Sequence, residues 1–172
     1  MGIWGAHGGF DGPADGIYDV LAEGLKSEIT SLRVNYRYPA ILEGCMFDAL
    51  AGASYLKSAG CDTLALVGHS FGGAVAISAA PFSTEVKAVV VLSSQTYGAG
   101  GGRRVSPRPL LVVQGADDTR LPPMCSEAIY EWAEEPKELV IYPDARHNLR
   151  ECKDELHDLL SRWIPEKLDT AG

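Results

Sequence analysis

The sequence predicts an α/β fold, a doubly wound and mostly parallel six-stranded sheet with helices on both faces. Short apolar runs alternate with longer segments of helical period along the chain. Several runs, "LALV", "AVVVL" and "LLVV", are continuously apolar rather than alternating, as a strand covered on both faces requires. The 172 residues, 46% of them hydrophobic, suffice for one sizeable core and leave no room for a second domain of ordinary size.

Expected strands occupy residues 3–6, 31–36, 63–67, 88–92, 110–114 and 139–142. Helical segments are expected at 14–27, 39–58, 71–80 and 122–133. In 39–58, Leu42, Met46, Ala49, Leu50, Ala53 and Leu56 recur at steps suited to one helix face, and Pro39 fits a first turn. The C-terminal segment repeats the pattern with Leu149, Cys152, Leu156, Leu159, Leu160 and Trp163. Residues 93–109, "SSQTYGAGGGRRVSPRP", are too rich in Gly and Pro to be regular. They are expected to form a mobile surface connection bearing Arg103, Arg104 and Arg108, with an edge of a pocket as the alternative.

A net charge of -8 argues against nucleic-acid or anionic-membrane partners, because the mean field repels both. Cys45, Cys61, Cys125 and Cys152 form no CxxC pair and no zinc-like spacing, which suits reduced thiols in a cytosolic protein. The start "MGIWGAHGG" lacks a basic n-region and a long apolar stretch, and Ala6 breaks the myristoylation pattern. A cytoplasmic protein without metal or organic cofactor is expected. An uncovered edge strand leaves pairing with another copy open.

The chemistry starts at "TLALVGHSFGGAVAISAA", where Ser70 interrupts an apolar run at the carboxyl end of a strand, the end at which ligands meet a parallel sheet. A turn this sharp forces the serine into a sparsely allowed backbone region. Gly68 and Gly72, flanking His69-Ser70-Phe71, remove the side chains that would collide across the turn. The hydroxyl gained lies beside the first free N–H groups of a helix, a positive pole suited to developing negative charge.

A serine nucleophile needs a base, itself oriented by an acid. Asp117 and Asp118 open the loop after strand 110–114, and His147 in "YPDARHNL" follows the last strand. Three chemical roles at three strand ends are far harder to obtain by chance than one. His157 reads as a surface residue of the last helix, and His69 as packing sideways within the elbow. An oxyanion hole requires two N–H donors, one from Phe71 and a second from Gly9 or Phe10 in the loop "AHGGFDGP" that contains His7.

With those residues the chain resembles the α/β-hydrolase family. The order Ser70, Asp118, His147, the "GHSFGG" elbow, the upstream "HGG" and "GADDTRLP" match its pattern through nearly the whole chain. Within the family it is similar to the small, lidless, dienelactone-hydrolase-like serine esterases. The resemblance implies strand order 2-1-3-4-5-6, a single domain over residues 1–172, and Asp118 rather than Asp117 as the acid. It implies that two N-terminal strands common in the family are absent. The segment between Leu92 and Pro109 is too short for the helical lid of many members, so the site should be shallow and open, favouring small or protruding esters. Dienelactone hydrolases themselves use cysteine where this chain has Ser70.

The expected activity is hydrolysis of a small-molecule ester or thioester through an acyl-enzyme. His147 accepts the proton of Ser70 while Asp118 fixes its tautomer. The alternatives are a non-catalytic binding protein on the same fold, or amide hydrolysis or acyl transfer by the same triad. Gln95, Tyr97 and Met124 lie beyond strand ends as candidate pocket walls. Tyr36, Arg37 and Tyr38 read either as braces or pocket edge for the active-site loops, or as a structural aromatic and salt-bridge group.

Overall fold

The computed structural model describes residues 1–3 and 12–170. Six strands, β1 (Gly2–Ile3), β2 (Arg33–Val34), β3 (Leu64–His69), β4 (Val86–Leu92), β5 (Leu110–Gly115) and β6 (Lys137–Tyr142), form one sheet of order β2-β1-β3-β4-β5-β6. Every pairing is parallel, and β3, β4 and β5 fill the centre. The helices are α1 (Pro13–Gly24), α2 (Leu42–Ser58), α3 (Phe71–Ala79), α4 (Met124–Trp132) and α5 (Lys153–Asp169).

Side chains of a strand alternate between faces, so a run such as Leu64-Ala65-Leu66-Val67 must feed two cores. Leu64 and Leu66 join Val89, Val91, Leu110 and Val112 beneath α2, α3 and α4. Ala65 and Val67 join Ala88, Val90, Leu111 and Val113 beneath α1 and α5. The expected architecture is therefore the observed one, including helices on both faces and the strand order. Its consequence for function is geometric: parallel strands gather the turns that follow β3, β5 and β6 at one end of the sheet.

Several boundaries differ from expectation. The first strand is Gly2–Ile3, and the rest of the expected 3–6 lies outside the described residues. The second is Arg33–Val34 rather than 31–36, because β1, its partner, is itself two residues long among the described residues. Helix α2 begins at Leu42, after Ala40 turns left-handed at φ 67°, so Pro39 lies outside it. Likewise Leu149, at φ 53°, belongs to a turn before α5. It is fully buried all the same, which is why its apolar character mimicked a helix face.

The segment expected to be irregular holds a 3-10 helix, Ala99–Val105, with Ala99 and Val105 buried. Arg108 anchors it: its Nε donates to the Val86 carbonyl at 2.8 Å and its Nη2 to that of Ser83 at 3.2 Å. Arg103 pairs with Glu134 at 3.0 Å.

All four cysteines are free thiols. No helix among the described residues is long and apolar enough to cross a membrane. Leu111, fully buried in the central strand β5, is a direct test of the two-sided core. Leu111→Ala is expected to lower unfolding free energy by about 2–5 kcal/mol in urea titration. An unchanged midpoint would contradict this packing.

Candidate active site

β3 ends at His69 and α3 begins at Phe71, so Ser70 must reverse the chain alone. It does so at φ 56° and ψ -119°, a region that costs a non-glycine residue on the order of 1–3 kcal/mol. Backbone bonds hold the strain in place: the Ser70 N–H donates to the Leu92 carbonyl at 2.8 Å, and its carbonyl accepts from Gly73 at 3.1 Å. A Cβ on Gly68 would stand 2.1 Å from the Gly72 carbonyl oxygen, so β3 and α3 approach this closely only with glycine there. A second crowded position, missed in the sequence, is Gly73, whose Cβ would lie 2.4 Å from Ser94 Oγ. The Phe71 N–H opens α3 beside Ser70, where the helix dipole is positive. The buried Phe71 ring meets the buried Tyr36 edge-on, centroids 6.1 Å apart.

Asp118 and His147 come together. Nδ1 of His147 lies 2.7 Å from Oδ2 of Asp118, and both residues are buried. Burial alone would raise the Asp118 carboxyl. The Leu121 N–H at 2.9 Å, the His147 ring and the Arg120 N–H at 2.8 Å outweigh it and hold the carboxyl below its ordinary value. An ionised carboxylate only accepts hydrogen bonds, so the proton sits on His147 Nδ1 and the Nε2 lone pair is free to take another. Asp117 does not share this role. Its N–H donates to the Ala145 carbonyl at 2.9 Å, and its side chain is exposed.

Behind the carboxylate stands a group that sequence reading did not find. Gln114, at the end of β5 and fully buried, donates from Nε2 to Asp118 Oδ2 at 3.1 Å and to the Leu121 carbonyl at 3.0 Å. Its Oε1 accepts from Ser126 of α4 at 2.7 Å. A polar glutamine closing the apolar run "LLVV" is the only local signal that could have marked it. Gly115 completes the junction, because a Cβ there would lie 2.3 Å from the Ala145 carbonyl oxygen.

His69 is buried and turned toward the base, with ring centroids of His69 and His147 4.9 Å apart. Its Nε2 lies 3.0 Å from the His147 carbonyl oxygen. Burial pushes this imidazole down to about 4. A cavity of about 310 Å3 opens beside His147, lined by Thr119, Arg120, Arg146, Asn148 and Arg150 among others. Among the described residues no cluster of histidine, cysteine and carboxylate side chains is arranged to hold a metal ion.

Other expected residues fall in different places. Gly9 and Phe10, with His7, lie outside the described residues. The Gln95 N–H reaches the Ser70 carbonyl at 3.4 Å and its side chain donates to the Tyr97 carbonyl at 2.8 Å. Tyr97 and Met124 are 73% and 68% exposed. Arg37 pairs with the buried Asp48 at 2.6 Å, and Tyr38 is exposed. His157 lies in α5, in reach of Ser161 Oγ at 3.2 Å.

No protein-family model matches the chain. The uncharacterized protein YfhR of Escherichia coli is 46% identical over 43 residues, which is 25% of this chain and 15% of that relative's length. Among solved structures, Est1E of Butyrivibrio proteoclasticus with bound ferulic acid superposes at a TM-score of 0.80 and 17% identity, covering 98% of this chain and 88% of that one. A dienelactone hydrolase of Anabaena variabilis superposes at 0.77 and 20% identity, covering 98% and 87%. A serine hydrolase without lid from Xanthomonas campestris superposes at 0.70 and 25% identity, covering 88% and 73%. The shared property is the fold.

Two outcomes test the electrostatics. His69 stays neutral when folded down to about pH 4, whereas an unfolded histidine takes a proton near 6.5, so the unfolded state binds more protons between these values. The stability His69 contributes is present above about 6.5 and is lost as pH falls toward 4. The urea midpoint should fall more from pH 7 to 5 in the wild type than in His69→Gln; equal slopes would contradict the buried neutral ring. Gly115→Ala should separate the two loops and lower both the urea midpoint and the fraction of protein with the Asp118–His147 bond, read by the low-field imidazole proton resonance. An unaltered resonance and midpoint would mean that the close approach is not required.

Proposed function

From the α/β-hydrolase fold of this chain, we propose that the protein is a serine hydrolase of a carboxylic ester or thioester, working through Ser70, His147 and Asp118. The single observation that carries the reading is the buried 2.7 Å contact between His147 Nδ1 and an Asp118 carboxylate held ionised by three further donors. That contact leaves the Nε2 lone pair to accept a proton, and the half-buried Ser70 stands on a strained turn after β3, at the same end of the sheet. The esterases among the structural neighbours lend the same reading support.

The steps follow from these groups. Nε2 of His147 takes the Ser70 hydroxyl proton as Oγ bonds to the carbonyl carbon. The carbonyl oxygen becomes an oxyanion, stabilised by the Phe71 N–H and by a second N–H from Gly9 or Phe10. Collapse breaks the bond to the leaving alkoxide or thiolate, which receives the proton from the imidazolium. Asp118 holds the ring and offsets its charge without itself taking the proton. A water molecule then gives a proton to His147 as it attacks the acyl group, and release of the acid restores Ser70. No step calls for a metal or organic cofactor. With only a 3-10 helix, Ala99–Val105, between β4 and β5, the site would be shallow, which favours small esters over long acyl chains.

The test uses p-nitrophenyl acetate, a long-chain p-nitrophenyl ester and a fluorophosphonate probe. The probe should label Ser70, the short ester should be preferred, and Ser70→Ala should lose at least about 10³-fold in turnover. Asp118→Asn, leaving His147 in the wrong tautomer, should lose on the order of 10⁴-fold in kcat. Folded wild-type protein that is not labelled, with turnover unaffected by Ser70→Ala, would overturn the reading.

A further inference from the structure

Four consecutive carbonyls of the loop carrying His147 each have a hydrogen-bond donor, three of them from distant parts of the chain. That of Ala145 accepts from the Asp117 N–H at 2.9 Å, and that of Asn148 from the Ala14 N–H at 2.7 Å, so the loop is fastened to the turn after β5 and to the start of α1. The Arg146 carbonyl accepts from the Leu149 N–H at 2.9 Å, closing the loop on itself. The carbonyl of His147 is the one served by a side chain, Nε2 of His69 at 3.0 Å. His69 immediately precedes Ser70, so this bond joins the peptide of the proposed base to the backbone next to the proposed nucleophile across 78 residues of sequence.

We infer that His69 is a positioning residue, which sets the location of the His147 ring relative to Ser70 by donating its Nε2–H to the carbonyl of His147. A carbonyl only accepts, so this contact fixes His69 as the neutral Nε2–H tautomer. The ring of His147 is then constrained at both ends of its residue. Asp118 sets its rotation about the side-chain bonds through Nδ1, and His69 sets the peptide from which it springs, with the two imidazole rings 4.9 Å apart and inclined at 49°. Removing the donor leaves a buried carbonyl without a partner, and the local remedy is a shift of the peptide. A shift of about 1 Å at a reacting group can cost 10²-fold in rate. Binding of a small ester, which does not involve this bond, should change little.

The inference rests on the reading of Ser70 and His147 as nucleophile and base, and its test separates the two. His69→Leu removes the donor, and His69→Gln keeps an N–H of similar reach. With p-nitrophenyl acetate as substrate, His69→Leu should lower kcat by roughly 10–10²-fold with KM nearly unchanged, and His69→Gln should recover most of the loss. Fluorophosphonate labelling of Ser70 should slow in parallel. Full kcat in folded His69→Leu, or His69→Gln no better than His69→Leu, would overturn it. Should His69→Leu fail to fold, long-range nitrogen–proton correlation spectra of the wild type decide: a proton on Nε2 of His69 is expected, and a proton on Nδ1 alone would overturn the inference. Turnover retained in Ser70→Ala would instead sink the underlying reading.

Discussion

The bond between His147 and Asp118 depends on how closely the ends of β5 and β6 approach, and much of the rest of the structure serves that approach. The two strands run parallel in register from Leu110 and Lys137 to Gly115 and Tyr142. At their ends Ala116 bonds to the Tyr142 carbonyl, Asp117 bonds to that of Ala145, and Gly115 makes room for the crossing backbone. Only then can the side chain three residues after the glycine face the imidazole two residues after Ala145. Burial of the carboxylate in this junction raises its pKa, and the Leu121 and Arg120 N–H groups with the His147 ring outweigh that and hold it below its ordinary value, while the Gln114 amide donates to the same Oδ2.

The elbow at Ser70 poses the opposite problem, a strained backbone rather than a buried charge. Strain persists where surrounding structure over-determines it. Here β3 is buried along its whole length, α3 is buried on nearly every residue, and the Phe71 ring is wedged against Tyr36. The apolar runs that define the fold class are thus also what hold the serine in a conformation it would not choose. Under the proposed mechanism that conformation sets the hydroxyl beside the positive end of α3.

Much of this was legible in the chain because it depends on local or alternating pattern. The central strands, their parallel order and the elbow follow from runs such as "LALV" ending in Gly68 and Ser70. The strand-end positions of Asp118 and His147 follow from the same alternation. What was hidden depends on contacts between distant segments or on backbone sign. Gln114 reads as the last residue of a strand until its amide is seen under Asp118. His69, read as packing sideways, reaches a carbonyl 78 residues away. Leu149 has a helix-like spacing yet sits in a left-handed turn, and the glycines of residues 99–105 form a 3-10 helix fastened by Arg108, whose side-chain bonds no composition rule anticipates.

Under the proposed mechanism Ser70 becomes covalently acylated. Mixing the protein with excess p-nitrophenyl acetate, quenching in acid during turnover and mapping the peptides by mass spectrometry tests this directly. An acetyl group on Ser70, formed and lost at rates consistent with turnover, is the predicted result. Steady turnover with Ser70 unmodified at every quench time, or acetyl carried on another residue that supports the same rate, would contradict it.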